Sequence, residues 1–516
     1  MNRCFLSRLL CFAVMFSAGV TDAAQPNILL IVSEDNGPEL GCYGDVYART
    51  PNLDKLADEG IRFNRAFVAQ AGCSQSRASF LTGLYPHQHG QIGLATWGFR
   101  MYREDTPNLP RSLKAAGYRT GIIGKLHINP ESAFPFDFHE IPTANFSRKD
   151  LSNYANYAGT FFQAADEPFF LSVNYPDAHD PWIRQVDGLP KSPQTGSEVK
   201  AMAYMGIDPP EMRAMVADYY NCISRLDSLI GDLLSTLEQS GKAENTIVIY
   251  IGDHGADMLR GKRTSYEGGV RVPMIMRWPN QINPHVEEAL VSTVDLMPTV
   301  LEAAKASPVA GLPGRSLQPL MSGEPVTWRN HLFTEYHTHA AAPNYHPQRA
   351  VRNDQYKLIE NLLPDTLNPD YANTIRKLEA DATSRGEKGF SGGLHNAIAN
   401  ATAEVVAAYA LMETPPRYEL YDLQNDPYEF HNLATSPEYA ATLVDLQDQL
   451  THWREQTKDP LLDPKSLQRL TAEVTAVTNK SEGKSTQWGY VDYFFGKESN
   501  PTAVESSKKK KGKKKQ

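Results

Sequence analysis

The chain has 516 residues, of which 41% are apolar and 22% are charged. This composition is typical of a globular protein with a large core, and it excludes an intrinsically disordered chain. The formal net charge is −9 at pH 7, although the last nine residues contain seven lysines. An acidic body of this kind argues against general nucleic-acid binding.

The N-terminus has the pattern of a cleaved secretory signal. Arg3 and Arg8 precede an apolar run from Leu9 to Val20, and small residues follow it. The run is too short for a stable membrane span. We therefore expect residues 1–24 to be removed and the protein to be exported to the periplasm or the extracellular space. An uncleaved anchor is the alternative.

The cysteines are too few for a disulfide scaffold. Cys4 and Cys11 lie in the predicted signal, so three remain in the mature chain. Whether Cys42 and Cys222 pair is left open by the sequence. Cys73 is then the odd cysteine, and an unpaired thiol in an exported protein requires a functional or structural explanation.

Four short apolar runs alternate with helical patterns, and polar residues follow each run directly. Such runs are typical of strands buried on both faces of a parallel sheet. In chain order they are 27–32 before Glu34 and Asp35, 120–123 before Lys125 and His127, 169–175 before Asp177 and His179, and 246–251 before Asp253 and His254. The clearest helix runs from Glu211 to Gln239 and stops before Gly241.

This alternation predicts an α/β fold with a large, doubly wound, mostly parallel sheet flanked by helices. Ligands of such folds bind beyond the carboxyl ends of the strands. All four polar groups follow strands at that end. We therefore expect residues that are far apart in sequence to converge on one pocket.

The sequence pattern changes near residue 330. We expect a catalytic α/β domain over 25–330 and a smaller α+β subdomain over 331–463, with strands of an antiparallel sheet at 352–359 and 418–423. Residues 464–516 are predicted to be an extended, disordered tail that ends in the lysine run.

Three carboxylates are predicted to meet at the edge of the large sheet. Glu34 and Asp35 follow one strand, and Asp253 follows another. Together they would repel strongly without a cation. Their oxygen atoms suit a hard divalent ion such as calcium or magnesium.

The segment Cys73-Ser-Gln-Ser-Arg77, followed by Leu81-Thr-Gly83, resembles the signature of the formylglycine-dependent sulfatases of the alkaline phosphatase superfamily. That signature is Cys-x-Pro/Ala-x-Arg before a Leu-Thr-Gly element, and Gln75 departs from it. The resemblance implies that a formylglycine-generating enzyme oxidises Cys73 to an aldehyde, whose hydrate attacks sulfur and later releases sulfate by C–O cleavage. A buried structural cysteine is the alternative.

The resemblance extends over about residues 26–460 and implies roles for the polar groups. Lys125 and Lys262 would hold sulfate oxygens, His127 would act as a base, and His179 would protonate the leaving group. His254 departs from the pattern, because nitrogen is a poor ligand for calcium. The implied catalytic residues are Cys73, Arg77, Lys125, His127, His179 and Lys262, and the implied metal ligands are Glu34, Asp35, Asp253 and His254.

Within the family, several segments resemble the heparan N-sulfatases, or sulfamidases, namely residues 73–84, 87–90, 120–125, 134–138, 348–352, 418–421, 426–427 and 432–434. This implies hydrolysis of an N-sulfate on terminal glucosamine, a step in glycosaminoglycan degradation. The candidate substrate contacts are Asp177, His337, His339, Arg349 and Arg352, for which packing roles are equally open.

Three alternatives remain open at this point. The first is an O-sulfatase that acts on another sulfated polysaccharide. The second is a metal-dependent phosphodiesterase or phosphatase of the same superfamily, since fold does not determine the reaction. The third is a non-catalytic relative that binds glycans.

Overall fold

The computed structural model describes residues 25–164, 166–384 and 393–495. The predicted signal and the lysine run lie outside the described residues. Within these ranges the chain forms an eight-stranded sheet, a three-stranded sheet and a four-stranded sheet, with helices around them.

The strands fall into the three sheets as follows. The eight-stranded sheet contains β1, β2, β4–β7, β9 and β10, the three-stranded sheet contains β3, β8 and β11, and the four-stranded sheet contains β12–β15. Their bounds are β1 (Asn27–Ser33), β2 (Ile61–Phe63), β3 (Ala66–Phe67), β4 (Arg119–Gly124), β5 (Phe138–Glu140), β6 (Phe169–Asn174), β7 (Thr246–Gly252), β8 (Arg271–Val272), β9 (Met274–Arg277), β10 (His285–Glu287), β11 (Val291–Ser292), β12 (Leu332–Tyr336), β13 (Gln348–Arg352), β14 (Tyr356–Asn361) and β15 (Tyr418–Asp422).

The α-helices range from one turn to 30 residues, and the longest, α6, is the helix that the sequence predicts at Glu211–Gln239. Their bounds are α1 (Pro51–Asp58), α2 (Cys73–Thr82), α3 (Pro86–His89), α4 (Leu109–Ala115), α5 (Asn153–Gln163), α6 (Pro210–Gln239), α7 (Glu267–Val270), α8 (Leu296–Ala303), α9 (Pro369–Ser384), α10 (Leu394–Ala399), α11 (Ala403–Glu413), α12 (Ala440–Gln456), α13 (Pro464–Thr475), α14 (Lys480–Ser485) and α15 (Tyr490–Phe495).

The large sheet confirms the predicted fold class. β1 lies inside it and pairs in parallel with both β6 and β7. β4 and β5 continue the parallel pairing on one side, whereas β9 runs antiparallel to its neighbours β7 and β2 on the other. The four predicted runs are therefore β1, β4, β6 and β7, which lie side by side in the order β7-β1-β6-β4.

The apolar character of β1 follows from burial on both faces. Ile28 and Leu30 enter one hydrophobic core, and Leu29 and Ile31 enter the other. Successive side chains of a strand point to opposite faces, so a strand covered by helices on both sides has to be apolar throughout.

The small antiparallel sheet is present, with one correction to its predicted strands. The segment 352–359 is not one strand, because a turn separates β13 from β14. The Asn353 side chain accepts hydrogen bonds from the backbone N–H groups of Gln355 and Tyr356, at 2.9 and 2.7 Å. Asparagine favours such turns because its side chain can replace a backbone acceptor.

The predicted disorder beyond residue 464 is wrong for residues 464–495. This segment contains α13, α14 and α15, and it packs on the loop that carries Phe99. Leu470, Val474 and Trp488 are buried in that cluster. The polar composition of the segment concealed the few apolar residues that hold it in place.

The described cysteines Cys42, Cys73 and Cys222 are all unpaired. Cys222 lies inside α6, where its sulfur accepts a hydrogen bond from Arg225 at 3.2 Å. In the described ranges, none of the helices combines the length and the apolar character needed to cross a membrane.

The loop after β1 is anchored to α6 through a buried glutamate. Tyr219 Oη donates a hydrogen bond to Glu39 Oε2 at 3.0 Å. Burial, reinforced by the negative charge of Asp45, raises the pKa of Glu39 to about 7. Burial therefore favours the neutral form of Glu39 in the folded protein.

This anchor predicts a pH dependence of stability. Because the folded pKa of Glu39 is about 7 and its ordinary value is 4.5, its contribution is complete below pH 4.5 and is lost as the pH rises through 7. Glu39→Gln keeps the neutral shape without titrating. Between pH 4.5 and 8 the unfolding free energy of the wild type should fall by about 3 kcal/mol relative to this variant.

Urea unfolding at both pH values measures this difference. The exposed Glu324→Gln is the matched control and should follow the wild type. Parallel stability curves for the wild type and Glu39→Gln would contradict the assignment.

Candidate active site

The polar groups predicted to converge do meet at the carboxyl edge of the large sheet. The Glu34 N–H donates to the Asp177 carbonyl at 3.1 Å, and the Asp253 N–H donates to the Ser33 carbonyl at 2.9 Å. These bonds join the loops after β1, β6 and β7. Residues more than 200 positions apart therefore line one pocket.

Three buried carboxylates form the floor of this pocket. Glu34, Asp35 and Asp253 are all buried. Asp35 has φ +52°, and its N–H donates to Asp253 Oδ1 at 2.9 Å. A left-handed conformation is unfavourable for aspartate, and such residues concentrate at functional sites.

Each carboxylate has a basic partner. The pairs are Lys125 Nζ with Glu34 Oε2 at 2.8 Å, Lys262 Nζ with Asp35 Oδ2 at 2.9 Å, and Arg77 Nη2 with Asp253 Oδ2 at 3.1 Å. Burial opposes ionisation, but His179, Lys262 and His254 nevertheless lower the pKa of Asp35. Buried charges require such pairing, because removing one partner costs about 3–5 kcal/mol.

Cys73 lies among these groups at the first residue of α2. Its Sγ is 3.3 Å from His254 Nε2 and 4.0 Å from Asp35 Oδ1. Burial raises the pKa of the thiol, but the charges of Lys125, Lys262 and His254 outweigh burial and hold that pKa well below its usual value. A helix N-terminus also favours a thiolate.

His127 and His254 differ in their proton affinity, and a third histidine, His179, lies in the same pocket. Burial and Lys125 lower the pKa of His127 to about 3, so its ring is neutral. Burial opposes protonation of His254 as well, but Asp253 raises its pKa to about 9. His179 stacks on the Phe146 ring, with centroids 4.1 Å apart.

The acidic floor fits a hard cation. The ligand atoms of two groups lie within 4.8 Å of one another, and the groups are Glu34, Asp35, Cys73 and His179, and Asp35, Cys73, Asp253 and His254. Both share Asp35 and Cys73, so they describe one location. Among the described residues, the buried Glu34 Oε1 has no hydrogen-bond partner. Arg77 Nη2 lies 3.6 Å from this oxygen. A carboxylate oxygen without a hydrogen bond beside two other carboxylates suits calcium or magnesium.

Asp177 is close to the pocket, but its carboxylate is bound by arginine side chains. It accepts hydrogen bonds from Arg148 Nε at 3.0 Å and Arg225 Nε at 2.8 Å, and all three side chains are buried. The prediction that Asp177 contacts substrate is not supported, because both carboxylate oxygens are occupied by arginines.

Three other predicted substrate contacts lie beside buried carboxylates. Arg349 pairs with Asp459 at 2.9 Å, and His337 Nε2 is 3.3 Å from a Glu335 oxygen. Arg352 pairs with Glu267 at 2.7 Å. These side chains join the small sheet to its surroundings, and the structure does not bring them to the acidic cluster.

His339 is the one predicted substrate contact that lies near enough to Lys262 and Cys73 for their charges to act on its ring. Burial and the charge of Lys262 lower its pKa well below the usual value, so the ring is neutral. Its Nδ1 has no hydrogen-bond partner in the described part of the chain. The backbone before it is held by Gln75, whose Nε2 donates to the Thr338 carbonyl at 2.6 Å. The residue that departs from the family signature thus supports the His339 segment.

Sequence reasoning missed two residues of the pocket. Asn174 accepts a hydrogen bond from Arg77 Nη1 at 2.8 Å and ends β6. Its position at a strand end was a usable signal. Phe146 stacks on His179, and its ring centroid lies 5.2 Å from Lys125 Nζ. It belongs to an irregular loop, where no sequence pattern identifies it.

Comparison with known proteins gives two family matches. The model described as Sulfatase matches residues 26–306. The model described as N-sulphoglucosamine sulphohydrolase, C-terminal, matches residues 252–366. The first match contains every residue of the acidic cluster, together with Cys73, Lys125 and Lys262.

Individual relatives cover most of the chain. Human N-sulphoglucosamine sulphohydrolase is 31% identical over 490 residues, which cover 87% of this chain and 94% of that protein. An ulvan-active sulfatase of Formosa agariphila is 27% identical and covers 85% and 81%. The solved structure of a protein in complex with its substrate D-glucosamine-2-N,6-O-disulfate superposes with a TM-score of 0.61 at 21% identity and covers 84% of this chain and 98% of that one.

Proposed function

This chain belongs to the sulfatase family, and on that premise we propose that it removes the N-sulfate group from N-sulfated glucosamine at the end of a saccharide. The single observation that carries the chemistry is the position of Cys73. Its sulfur lies at a helix N-terminus, 3.3 Å from His254 and beside the acidic floor. A nucleophile formed there would face both cationic side chains and a metal site.

The proposed nucleophile is a formylglycine made from Cys73 by a formylglycine-generating enzyme. Its hydrate supplies an oxygen nucleophile and a second hydroxyl through which the bound sulfate is released. Gln75 supports the conversion poorly if the enzyme requires proline or alanine at that position. The hydrogen bond from Gln75 to the Thr338 carbonyl gives this residue a different use in the folded protein.

Basic side chains of the pocket can hold the sulfate group. The Lys125 ammonium group donates one hydrogen bond to Glu34, so its other N–H groups can donate to an anion. Lys262 and Arg77 add positive charge near Cys73. Preorganised donors of this kind stabilise charge that develops on sulfate oxygens in the transition state.

Two histidines are the proposed proton carriers. Burial and Lys125 lower the pKa of His127 to about 3, so its ring is neutral, and we propose that it accepts a proton from the nucleophilic centre once the charge of the bound anion raises that pKa. His179 stacks on Phe146 and is the proposed donor to the leaving amine. Its Nδ1 is held by the Asp180 carbonyl, which orients the ring.

Glu34, Asp35, Asp253 and His254 are the proposed ligands of a divalent cation. We assign calcium, with magnesium as the alternative, because three of the four ligands are carboxylates. The ion supplies Lewis acidity toward sulfate oxygens. Nitrogen is a weaker ligand for calcium than oxygen. Against the effect of burial, the carboxylates raise the pKa of His254 to about 9, so its ring has to lose a proton before it can bind the ion, and we expect modest affinity.

The N-sulfated substrate is supported by the relatives. The human protein is named for N-sulphoglucosamine, and the C-terminal family match carries the same name. His339, neutral and near Cys73, is the proposed sugar contact. The main alternative is an O-sulfatase acting on another sulfated polysaccharide, which the similarity to an ulvan-active sulfatase keeps open.

A metal-dependent phosphodiesterase is less favoured. Such enzymes usually hold two zinc ions through additional histidines, whereas the two candidate ligand groups of the described residues share Asp35 and Cys73 and form one site. Export to the periplasm or the extracellular space is part of the proposal, since the sequence begins with the pattern of a secretory signal.

Sulfate release from a panel of sugars tests the substrate. N-sulfoglucosamine should be hydrolysed at least about 100-fold faster than glucosamine 6-O-sulfate, because the site would be built for an amine leaving group. Cys73→Ala should lower turnover by about 10⁴-fold or more, since the nucleophile is lost. Release only from O-sulfated sugars would contradict the N-sulfate assignment. Full activity of Cys73→Ala would contradict the nucleophile, and binding without turnover by the wild type would indicate a glycan-binding relative.

Calcium titration of the metal-free protein tests the cation site. Asp35→Asn should weaken binding at least about tenfold, because it removes one charged oxygen ligand. Isothermal titration calorimetry gives this change independently of catalysis. Asp105→Asn is the control, since Asp105 forms a surface pair with Arg103. Equal affinity of Asp35→Asn and wild type would contradict the ligand assignment.

A further inference from the structure

We infer that residues 464–495, which we call the C-terminal strap, position the active site by holding a neighbouring loop in place. The loop comprises residues 92–101, and we call it the rim loop. This inference rests on the proposed function, because the groups that the rim loop supports are the nucleophile position and the proposed sugar contact. Tyr490 and Trp488 are the positioning residues.

Side chains of the strap form hydrogen bonds with backbone groups of the rim loop. Tyr490 Oη donates to the Arg100 carbonyl at 2.7 Å and accepts from the Arg100 N–H at 2.9 Å. Trp488 Nε1 donates to the Trp97 carbonyl at 3.0 Å. Tyr490 is fully buried. Backbone groups of a loop need such partners when they are withdrawn from water.

Close packing accompanies these hydrogen bonds. The rings of Phe99 and Trp488 stack with centroids 4.0 Å apart. Gly98 has φ +78°, and a Cβ there would lie 2.5 Å from the Gly483 carbonyl oxygen. Only glycine allows this turn and this approach together. The strap and the rim loop are therefore fitted to each other.

The other side of the rim loop contacts the active site. The Ala95 N–H donates to Ser74 Oγ at 2.9 Å, beside Cys73. The Leu94 N–H donates to the His339 carbonyl at 2.9 Å. The Ile92 carbonyl accepts from Gln75 Nε2 at 3.3 Å.

The rim loop also touches the segment that follows His127. Asn129 Nδ2 donates to the carbonyl of Ala95 at 2.8 Å and to that of Phe99 at 3.0 Å. The Met101 N–H donates to the Asn129 carbonyl at 2.8 Å. One loop thus links the strap to the nucleophile helix, the His339 segment and the His127 segment.

Through the rim loop, the strap can affect groups that it does not touch. If its hydrogen bonds to the rim loop are lost, the loop becomes more mobile, and the positions of Ser74 and His339 become less defined. A substrate would then have to order these groups on binding, which weakens its apparent affinity. A general loss of folded protein would lower the turnover of the sample and leave KM unchanged.

Tyr490→Phe and Tyr493→Phe form a matched pair for the test. Tyr490→Phe removes both bonds to Arg100 and keeps the ring. Tyr493 lies in the same helix, but its hydroxyl donates to Glu473 of the strap itself at 2.7 Å. Each variant loses one buried or half-buried hydroxyl from α15, and only the first loses contacts to the rim loop.

The experiment combines hydrogen exchange of full-length protein with steady-state kinetics. Tyr490→Phe should accelerate amide exchange in residues 92–101 about tenfold and raise KM for the saccharide about fivefold, with kcat per formylglycine-containing chain nearly unchanged. Tyr493→Phe should match the wild type in both measurements.

Unchanged amide exchange of residues 92–101 in Tyr490→Phe would contradict the inference that the strap holds the rim loop, whatever the activity. Faster exchange with an unchanged KM would overturn its positioning role. If the wild type releases no sulfate from any sugar, the proposed function fails, and exchange still decides whether the strap holds the rim loop.

Discussion

Three carboxylates buried at one edge of a sheet have to be neutralised, and this constraint organises the site. Burying an ion costs several kcal/mol unless a partner and hydrogen bonds compensate. Lys125, Lys262 and Arg77 each form an ion pair with one of these carboxylates. These cations come from helix α2 and from the loops after β4 and β7, so the fold has to bring these elements together before the charges are balanced. Against the opposing effect of burial, Lys125 and Lys262 also lower the pKa of the Cys73 thiol.

The supporting structure extends well beyond the large sheet. Glu39 connects the acidic loop to α6, and Gln75 connects α2 to the segment that carries His339. The C-terminal strap reaches the same region through Tyr490. A sulfatase pocket that must bind an anion above an acidic floor depends on such supports, because small displacements would leave charges unpaired.

The sequence predicted the parts of the molecule that follow from local pattern. Apolar runs followed by polar residues placed Asp35 and Asp253 at one sheet edge, and the fold class was correct. The strap was missed, because a few buried residues such as Trp488 hold a polar segment through tertiary contacts. Arg349 resembled a ligand-binding residue, but its bond to Asp459 depends on a residue 110 positions away, which no local pattern reveals.

The central claim is that position 73 carries a formylglycine in the active protein. Mass analysis of the tryptic peptide 66–77 from enzyme with measured sulfatase activity tests it most directly. Oxidation of the thiol to the aldehyde should lower the peptide mass by about 18 Da, because one oxygen replaces sulfur and two hydrogens. An active preparation whose peptide retains the full cysteine mass would contradict the account.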